Sequence, residues 1–271
     1  MFCWFNGEIM PYEMVSLKIN DLAILRGYGM FDYFRTYQGK PFKWDWYWER
    51  FSNSAAKMGL DLPMSQAQTA DVLTELYQLS RQPDVAFRFV VTGGYSPDSV
   101  AMATPNFAIL VENLPKDNPQ AYKNGLKVIP YEFVRFMPEV KTTNYFQMVL
   151  MAKELKAQNA QDLLFHQRGE ISELTRSNFF IFKGDTLITS GTNILHGITR
   201  RVMLELAKSH FKVEIRPLMM AELETASEAF TTSTTKWAMP VTQVGDLTIG
   251  NGKPGKRTQL LHSLFESSTV G

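Results

Sequence analysis

The stretch Ile171-Ser-Glu173-Leu-Thr-Arg-Ser-Asn178 places an acidic residue a short turn before the apolar run Phe179-Phe-Ile-Phe182, which is predicted to be a strand. A lysine in the polar segment Glu139-Val-Lys141-Thr-Thr-Asn-Tyr145 precedes this stretch. Two further segments follow it, Leu195-His-Gly-Ile-Thr199-Arg200 and Thr232-Ser-Thr-Thr235-Lys236. This order of a lysine, a carboxylate and two turns with Thr or Ser indicates a binding site built from separated segments.

These are the groups that pyridoxal 5'-phosphate requires of a protein. A lysine amine forms a Schiff base with the cofactor, a carboxylate keeps the pyridine nitrogen protonated, and hydroxyls with backbone N–H groups bind the phosphate. The pattern Ser-Glu-x(4)-Asn-x-Phe, from Ser172 to Phe180, is fairly specific. No Gly-rich nucleotide loop, Gly-x-Ser-x-Gly elbow or His-Glu-x-x-His motif competes with it.

In order and spacing the segments resemble the class IV (fold type IV) aminotransferases. That family includes D-amino acid transaminases, branched-chain aminotransferases and aminodeoxychorismate lyase, and the resemblance extends over nearly the whole chain. It implies an α+β, two-domain fold of the D-amino acid aminotransferase type. It also implies a homodimer with the cofactor in a cleft between domains, and an amino acid and a 2-oxo acid as substrates.

The resemblance assigns roles around the cofactor ring. Lys141 is the catalytic lysine, which carries a proton between the substrate and the cofactor. Glu173 is the partner of the pyridine nitrogen. Tyr145 is a candidate donor to the phenolic oxygen, although an aromatic residue on a helix face is an equally good reading. Arg176 replaces a small residue of several relatives and is expected against the cofactor or substrate.

The resemblance also assigns the phosphate site. Arg50 matches the phosphate-binding arginine, and a guanidinium suits a dianionic phosphate. Ile198 and Thr199 open a predicted helix, whose free N–H groups form an anion site. Ser233 and Thr234, at the end of a predicted strand, would add a hydroxyl and backbone donors.

Composition limits the other classes of function. The 271 residues contain 28 Lys and Arg against 27 Asp and Glu, so the charge of +1 does not favour nucleic acid. The chain has one cysteine, Cys3, and four scattered histidines, so we expect no metal site. No apolar segment reaches the ~20 residues of a membrane span, and the N-terminus has no signal-peptide pattern. We therefore expect a cytoplasmic globular protein.

The order of predicted elements indicates two domains. Residues 1–117 form a small N-terminal α+β domain, and 118–124 form a linker, which Pro115 precedes and which contains Pro119. Residues 125–271 form a larger, β-rich domain that binds pyridoxal phosphate. In the small domain a helix is predicted from an N-cap at Asp45, and Ser65 begins a capping box. The aromatic cluster at Trp44–Trp48 is expected to fill the core or an interface.

The choice within the family depends on the substrate site. The segment Arg26-Gly-Tyr-Gly-Met-Phe31-Asp32 matches the family's N-terminal active-site strand, and its acid favours a transaminase over the lyase. Both common carboxylate-binding motifs are incomplete. The Arg-x-His pair is absent from the loop Ser96-Pro-Asp98, and the Tyr-x-Arg pair keeps Arg88 but has Ala86 in place of tyrosine.

Three cations could bind the substrate carboxylate instead: Arg26, Arg88 and Lys236, with Thr235 beside the last. A buried cation without an anion is costly, and a bound amino acid would supply one. A salt bridge with Asp32 or Glu139 is the structural alternative. The hypothesis is a D-amino acid:2-oxoglutarate aminotransferase with an atypical carboxylate site. The alternatives are a branched-chain L-amino acid aminotransferase and aminodeoxychorismate lyase.

Overall fold

A computed structural model of the protein describes residues 1–116 and 118–270. The chain divides into two compact units, each made of two segments. The first unit contains Met1–Pro115 and Val140–Asn144, and the second contains Lys116–Glu139 and Tyr145–Gly271. The predicted boundary at residue 117 and the predicted end at residue 271 lie outside the described residues.

Residues 118–124, which were predicted to form a linker, contain a helix in the structure. Helix α4 spans Pro119–Asn124, and the Asn118 side chain accepts a hydrogen bond from the backbone N–H of Ala121. Proline at the first position of a helix loses no intrahelical hydrogen bond, and its fixed φ suits the helix. Pro119 therefore begins a helix of the second unit, where the sequence pattern predicted a break between domains.

The first unit is built on a six-stranded sheet in which all neighbouring strands are antiparallel. Its strands are β1 (Phe2–Phe5), β2 (Glu8–Pro11), β3 (Gly29–Tyr37), β4 (Lys40–Pro41), β5 (Ala86–Thr92) and β6 (Phe107–Glu112). Their order across the sheet is β2-β1-β6-β5-β3-β4. Its helices are α1 (Leu22–Arg26), α2 (Trp44–Lys57) and α3 (Gln66–Ser80), with a 3-10 turn at Tyr12–Met14.

An aromatic core fixes α2 on this sheet. Phe34 of β3 is fully buried, and its ring centroid lies 5.5 Å from that of Trp44 and 5.2 Å from that of Tyr47. The predicted aromatic cluster therefore contributes to the core of this unit. Helix α2 begins at Trp44 after Lys43, so the predicted N-cap at Asp45 is wrong. The capping box at Ser65 is confirmed.

The segment Val140–Asn144 extends the first unit by pairing with the start of β3. The backbone N–H of Phe31 donates to the Lys141 carbonyl (2.9 Å), and that of Thr143 donates to the Gly29 carbonyl (2.9 Å). An isolated bridge joins Met30 to Thr142. These bonds fix the backbone of the candidate catalytic lysine beside the predicted active-site strand.

The second unit contains a ten-stranded sheet. Its strands are β7 (Leu126–Glu132), β8 (Asp162–Gln167), β9 (Glu170–Leu174), β10 (Asn178–Lys183), β11 (Thr186–Thr189), β12 (Lys212–Ile215), β13 (Leu218–Met219), β14 (Glu228–Ser233), β15 (Trp237–Val244) and β16 (Leu247–Thr248). Its other helices are α5 (Phe146–Leu150), α6 (Ala152–Ala157), α7 (Ile198–Ala207) and α8 (Lys256–Ser268), with a 3-10 helix at Met220–Thr225. Helices α5 and α6 are separated only by Met151.

Six of these strands close into a ring. The order β10-β14-β15-β7-β8-β9 returns to β10 through the pairing of Glu173 with Asn178. Apolar residues from all six strands, such as Val128, Leu164 and Phe179, pack into one buried cluster. Closure removes free strand edges and places Glu173 at the point where the ring is completed.

None of the helices in the described part of the chain combines the length and apolar character needed to cross a membrane. Within the same residues, no group of three or more His, Cys, Asp and Glu side chains is placed to hold a metal ion.

Candidate active site

Lys141 lies against an aromatic ring of the first unit. Its Nζ is 4.5 Å from the centroid of the Phe31 ring, and the residue is half-buried. The guanidinium carbon of Arg88 lies 5.6 Å from the same centroid. The structure therefore brings together three residues that the sequence predicted separately: the lysine, Phe31 and one candidate for binding the substrate carboxylate.

Arg88 has a carboxylate partner within its own sheet. Its Nε donates to Glu112 Oε1 (2.5 Å), and its Nη2 donates to Glu112 Oε2 (3.0 Å). The two side chains are 34% and 31% exposed, so the pair is in contact with water. The salt-bridge alternative therefore applies to this cation, with Glu112 as the anion in place of Asp32 or Glu139. However, a pair this exposed contributes at most about 1 kcal/mol, so its arginine can exchange partners at little cost.

The guanidinium of Arg50 forms a more deeply buried ion pair in the same unit. Arg50 Nε donates to Asp32 Oδ2 (2.9 Å) and Nη2 donates to Oδ1 (2.5 Å). Asp32 Oδ1 also accepts from the backbone N–H of Tyr33 (2.7 Å). Successive residues of a strand point to opposite faces, so Asp32 and Phe31 project from opposite faces of β3. The acid that favoured a transaminase on sequence grounds thus orients the predicted phosphate arginine.

The loop at which well-known D-amino acid transaminases carry the Arg-x-His pair has a different structure here. Asp98 Oδ1 accepts hydrogen bonds from the backbone N–H groups of Val100 (2.9 Å) and Ala101 (2.7 Å) and from Ser96 Oγ (3.2 Å). These donors, the Ala101 N–H first, lower the pKa of Asp98. The carboxylate thus stabilises its own turn in the ionised state.

In the second unit, Glu173 accepts hydrogen bonds at both carboxylate oxygens. Arg135 Nε (2.9 Å) and Nη2 (2.7 Å) lie against Oε1. Asn178 Nδ2 (3.2 Å) and the backbone N–H of Leu195 (3.0 Å) donate to Oε2. The two side chains of the ion pair are 10% and 5% exposed. Sequence reasoning missed Arg135, because a lone arginine in a loop after β7 carries no motif.

The start of α7 offers an anion site. The cap residue is Gly197, which makes no side-chain cap, and the first residues, Ile198 and Thr199, are buried. The first N–H groups of a helix have no intrahelical acceptor. A Cβ on Gly197 would lie 2.3 Å from Asn178 Oδ1, so only glycine allows the side chain that contacts Glu173 to pack against this helix start.

Two buried hydroxyls lie at the end of β14. Thr232 Oγ1 and Ser233 Oγ have no hydrogen-bond partner among the described residues. Buried polar atoms in native proteins are almost always paired, so an unpaired hydroxyl suggests a missing ligand. Ser233 was predicted as a phosphate ligand together with Thr234, which is half-buried. Thr232 is an additional candidate, and its place in the same Thr/Ser run is the sequence signal that could have identified it.

Lys236 pairs with an acid that the sequence did not indicate. Its Nζ lies 3.5 Å from Asp162 Oδ2 and 3.4 Å from Ser177 Oγ. Asp162 is buried, and its Oδ1 accepts from the hydroxyl of Thr175. The partner is therefore neither Asp32 nor Glu139, the two acids considered on sequence grounds. Lys236 therefore has an anion within the protein and does not need a substrate carboxylate to balance its charge.

The remaining candidates are at the surface of their units or at a helix start. Arg26 is exposed, donates from Nη1 to the Leu25 carbonyl (2.8 Å) and forms no ion pair within the described residues. Arg176 and Thr235 are exposed. Tyr145 is half-buried at the N-cap of α5.

Comparison with known proteins identifies the family. The model of the family described as Amino-transferase class IV matches residues 29–244, most of the chain. The protein therefore belongs to the class IV aminotransferases and is a pyridoxal phosphate-dependent aminotransferase of the fold type IV class. Its α+β architecture and cofactor, both predicted from the sequence, are confirmed.

Individual relatives extend over nearly the full length. A D-alanine aminotransferase of Bacillus licheniformis is 29% identical over 274 residues, covering 98% of this chain and 96% of the relative. A putative branched-chain-amino-acid aminotransferase of Methanocaldococcus jannaschii is 28% identical over 277 residues, with the same coverages. The fold is that of a branched-chain aminotransferase of Thermoproteus uzoniensis solved with norvaline, at a TM-score of 0.88 and 22% identity, covering 100% of this chain and 95% of that chain.

The residues present fit the cofactor. Pyridoxal phosphate carries a phosphate dianion and a pyridine nitrogen. The phosphate is suited to the N-terminus of α7 and to the unpaired hydroxyls of Thr232 and Ser233. The pyridine nitrogen is suited to the buried carboxylate of Glu173.

Proposed function

We propose that this aminotransferase transfers the amino group of a D-amino acid to 2-oxoglutarate. The observation that carries the proposal is the full-length similarity to proteins named D-alanine aminotransferase, among them those of Bacillus licheniformis and Listeria monocytogenes. The altered loop at Asp98 supports a carboxylate site different from the Arg-x-His pair. An acidic acceptor accords with Arg26, which pairs with no carboxylate within the described residues, and with Arg88, whose pair with Glu112 is exposed.

Lys141 is the proposed catalytic residue. When bound, pyridoxal phosphate supplies an aldehyde and an electron-withdrawing ring. The amine of Lys141 would hold the cofactor through that aldehyde and, once the substrate amine has displaced it, would be the base that carries the proton of the substrate Cα. Phe31 covers the amine at 4.5 Å, which limits its contact with water and fixes its direction. The ionised carboxylate of Glu173 would accept a hydrogen bond from the ring nitrogen and so keep the proton on that nitrogen.

The proposed phosphate ligands come from three parts of the chain. Ile198 and Thr199 donate backbone N–H groups at the start of α7, and Ser233 and Thr234 donate from the end of β14. Arg50, oriented by Asp32, supplies a guanidinium. Tyr145 is the proposed donor to the phenolic oxygen, and Arg176 the proposed contact at the rim of the site.

Arg88 is the leading candidate for the substrate α-carboxylate. It shares the Phe31 ring with Lys141, and its ion pair with Glu112 is exposed enough to exchange. Arg26 is the second candidate, since no carboxylate pairs with it within the described residues. Phe31, Thr235 and Lys236 complete the proposed substrate set. For Lys236 the structure favours a supporting role through Asp162.

Two other activities of the same family are the alternatives. A branched-chain L-amino acid aminotransferase is supported by the Methanocaldococcus jannaschii relative and by the solved structures of similar fold. Aminodeoxychorismate lyase would use the same lysine to release pyruvate. A screen of D- and L-amino acids that follows the cofactor spectrum, with 2-oxoglutarate as acceptor, tests the proposal. An assay for aminobenzoate tests the lyase.

We also propose that the protein is a homodimer, as the family resemblance implies. In the structure Trp44 and Tyr47 pack against Phe34, so part of the predicted contact surface at Trp44–Trp48 is used within the first unit. Helix α5 exposes Phe146 (63%), Val149 (71%) and Leu150 (58%), which is unusual for large apolar side chains. Sedimentation at micromolar concentration should show a dimer, and Val149→Asp should shift it to monomer. An active wild-type monomer would contradict the proposal.

A further inference from the structure

The carboxylate of Glu173 is surrounded asymmetrically. Oε1 receives charged donors from the Arg135 guanidinium, whereas Oε2 receives the neutral N–H groups of Asn178 and Leu195. Donors from three residues thus contact both oxygens of the carboxylate. The guanidinium of Arg135 contacts only Oε1 among the bonds described. The longest of these bonds, 3.2 Å from Asn178 Nδ2, is made to Oε2.

Arg135 itself is fixed by the backbone. Its Nη2 donates to the Pro138 carbonyl in addition to contacting Glu173. This second bond holds the guanidinium in the loop that follows β7, so its position does not depend on Glu173 alone. The Arg135 charge is therefore a permanent part of the surroundings of the carboxylate.

A second guanidinium adds to this charge. Arg200 is 6% exposed, and its Nη2 donates to the Ser190 carbonyl (2.9 Å). Its Nε has no partner among the described residues. Burial lowers the pKa of Arg200, and the negative charge of Glu173 opposes that change. Two buried cations thus act on one carboxylate, one by contact and one at longer range.

We propose that Arg135 is a positioning residue that keeps Glu173 ionised, so that the proton shared with the cofactor resides on the ring nitrogen. This inference rests on the proposed role of Glu173 as the pyridine partner. It assigns a function to a residue outside the recognised sequence motifs.

The location of one proton distinguishes the two arrangements of this site. A buried carboxyl and a pyridine nitrogen in contact share a single proton, which either the oxygen or the nitrogen can hold. Burial without a cation favours the neutral arrangement, with the proton on Glu173. A guanidinium in contact with Oε1 favours the carboxylate, so the proton moves to nitrogen. Only the second arrangement makes the ring an electron sink.

Two substitutions separate charge from packing. Arg135→Gln keeps an N–H donor for Oε1 and removes the charge, whereas Arg135→Lys keeps the charge. Arg216→Gln is the matched control, since Arg216 makes two bonds to Glu222 in the same unit, at 2.9 Å and 2.7 Å. Each variant is loaded with ¹⁵N-labelled pyridoxal phosphate at neutral pH. The nitrogen chemical shift reports directly whether the ring carries a proton.

In the wild type, Arg135→Lys and Arg216→Gln, we expect the shift of a protonated nitrogen. In Arg135→Gln it should move to the unprotonated value, with kcat reduced at least tenfold and KM changed less than twofold. A protonated nitrogen in Arg135→Gln would overturn the proposal. If that variant does not fold, Arg135→Lys decides, because an unprotonated nitrogen in it would equally overturn the role of the charge.

Glu173→Gln distinguishes this inference from the proposed function. If the wild-type nitrogen is protonated, and Glu173→Gln loses the proton but Arg135→Gln does not, Arg135 has no such role and the function stands. If the wild-type protein shows no protonated nitrogen that depends on Glu173, the assigned role of Glu173 fails as well.

Discussion

Arg50 and Asp32 form a two-bond ion pair in which the arginine side chain is 12% exposed and the aspartate 2%. The pair joins helix α2 to strand β3, and the Arg50 guanidinium also lies 5.0 Å from the Tyr47 ring centroid. A planar guanidinium held by both carboxylate oxygens has one fixed orientation. Asp32 thereby determines where a proposed phosphate ligand points.

Substituting Arg50 should affect both stability and cofactor affinity. Arg50→Met leaves Asp32 buried without a cation, at a cost of about 3 kcal/mol. It also removes a charge-assisted contact to phosphate, so the cofactor Kd should rise roughly ten- to a hundredfold. The double variant Arg50→Met/Asp32→Asn is the control. It should recover stability in thermal denaturation without recovering affinity, and recovery of both would show that Arg50 has only a structural role.

Glu173→Gln should retain cofactor but slow removal of the Cα proton by roughly a hundredfold or more. The amide turns an N–H group towards the donors around Glu173, so one of them loses its acceptor. We therefore also expect lower thermal stability. Stopped-flow spectroscopy of the amino acid half-reaction measures the step. Turnover equal to that of the wild type would mean that Glu173 is not the pyridine partner.

How far the sequence predicted the site depends on how local the signal is. The capping box at Ser65 and the helix start at Ile198 involve neighbouring residues, and both are present in the structure. The ion pairs were not predictable in the same way. Arg135 and Glu173 are 38 residues apart, and Lys236 and Asp162 are 74 apart. A single arginine or aspartate carries no pattern that identifies a distant partner.

The placement of Lys141 shows the same limit. Its motif identified it as a candidate, but the bridge between Met30 and Thr142 that sets it beside Phe31 depends on the folded chain. The aromatic cluster is the opposite case. The hydrophobicity of Trp44 and Tyr47 was enough to predict that they lie in the core or in an interface. In the structure both rings pack against Phe34 of the core.

Arg88→Leu should lower kcat/KM by roughly ten- to a hundredfold for all amino acids alike, because each loses one charge-assisted bond to its α-carboxylate. Stability should change little, since the pair with Glu112 is exposed. Glu112→Gln is the matched control. It removes the anionic charge that competes for Arg88, so kcat/KM should be unchanged or higher. A loss confined to acidic amino acids would instead assign Arg88 to the side-chain carboxylate.

Lys236→Met should act mainly on stability. Asp162 would remain buried without its cation, which costs about 2 kcal/mol. Thermal denaturation of the cofactor-free protein should detect this loss, and Lys236→Arg should reverse most of it. If Lys236→Met lowers kcat/KM tenfold for every amino acid while its stability is unchanged, Lys236 binds the substrate carboxylate directly.

The half-reaction with D-amino acids tests the central claim most directly. Purified protein loaded with pyridoxal phosphate is mixed with D- or L-alanine and D- or L-glutamate, and the visible absorption band of the bound cofactor is followed. We predict that the D-amino acids bleach the band and that 2-oxoglutarate restores it. Lys141→Ala should keep the circular dichroism of the fold but lack both the band and the response. Bleaching by L-amino acids alone, no response to any amino acid, or full turnover by Lys141→Ala would contradict the account.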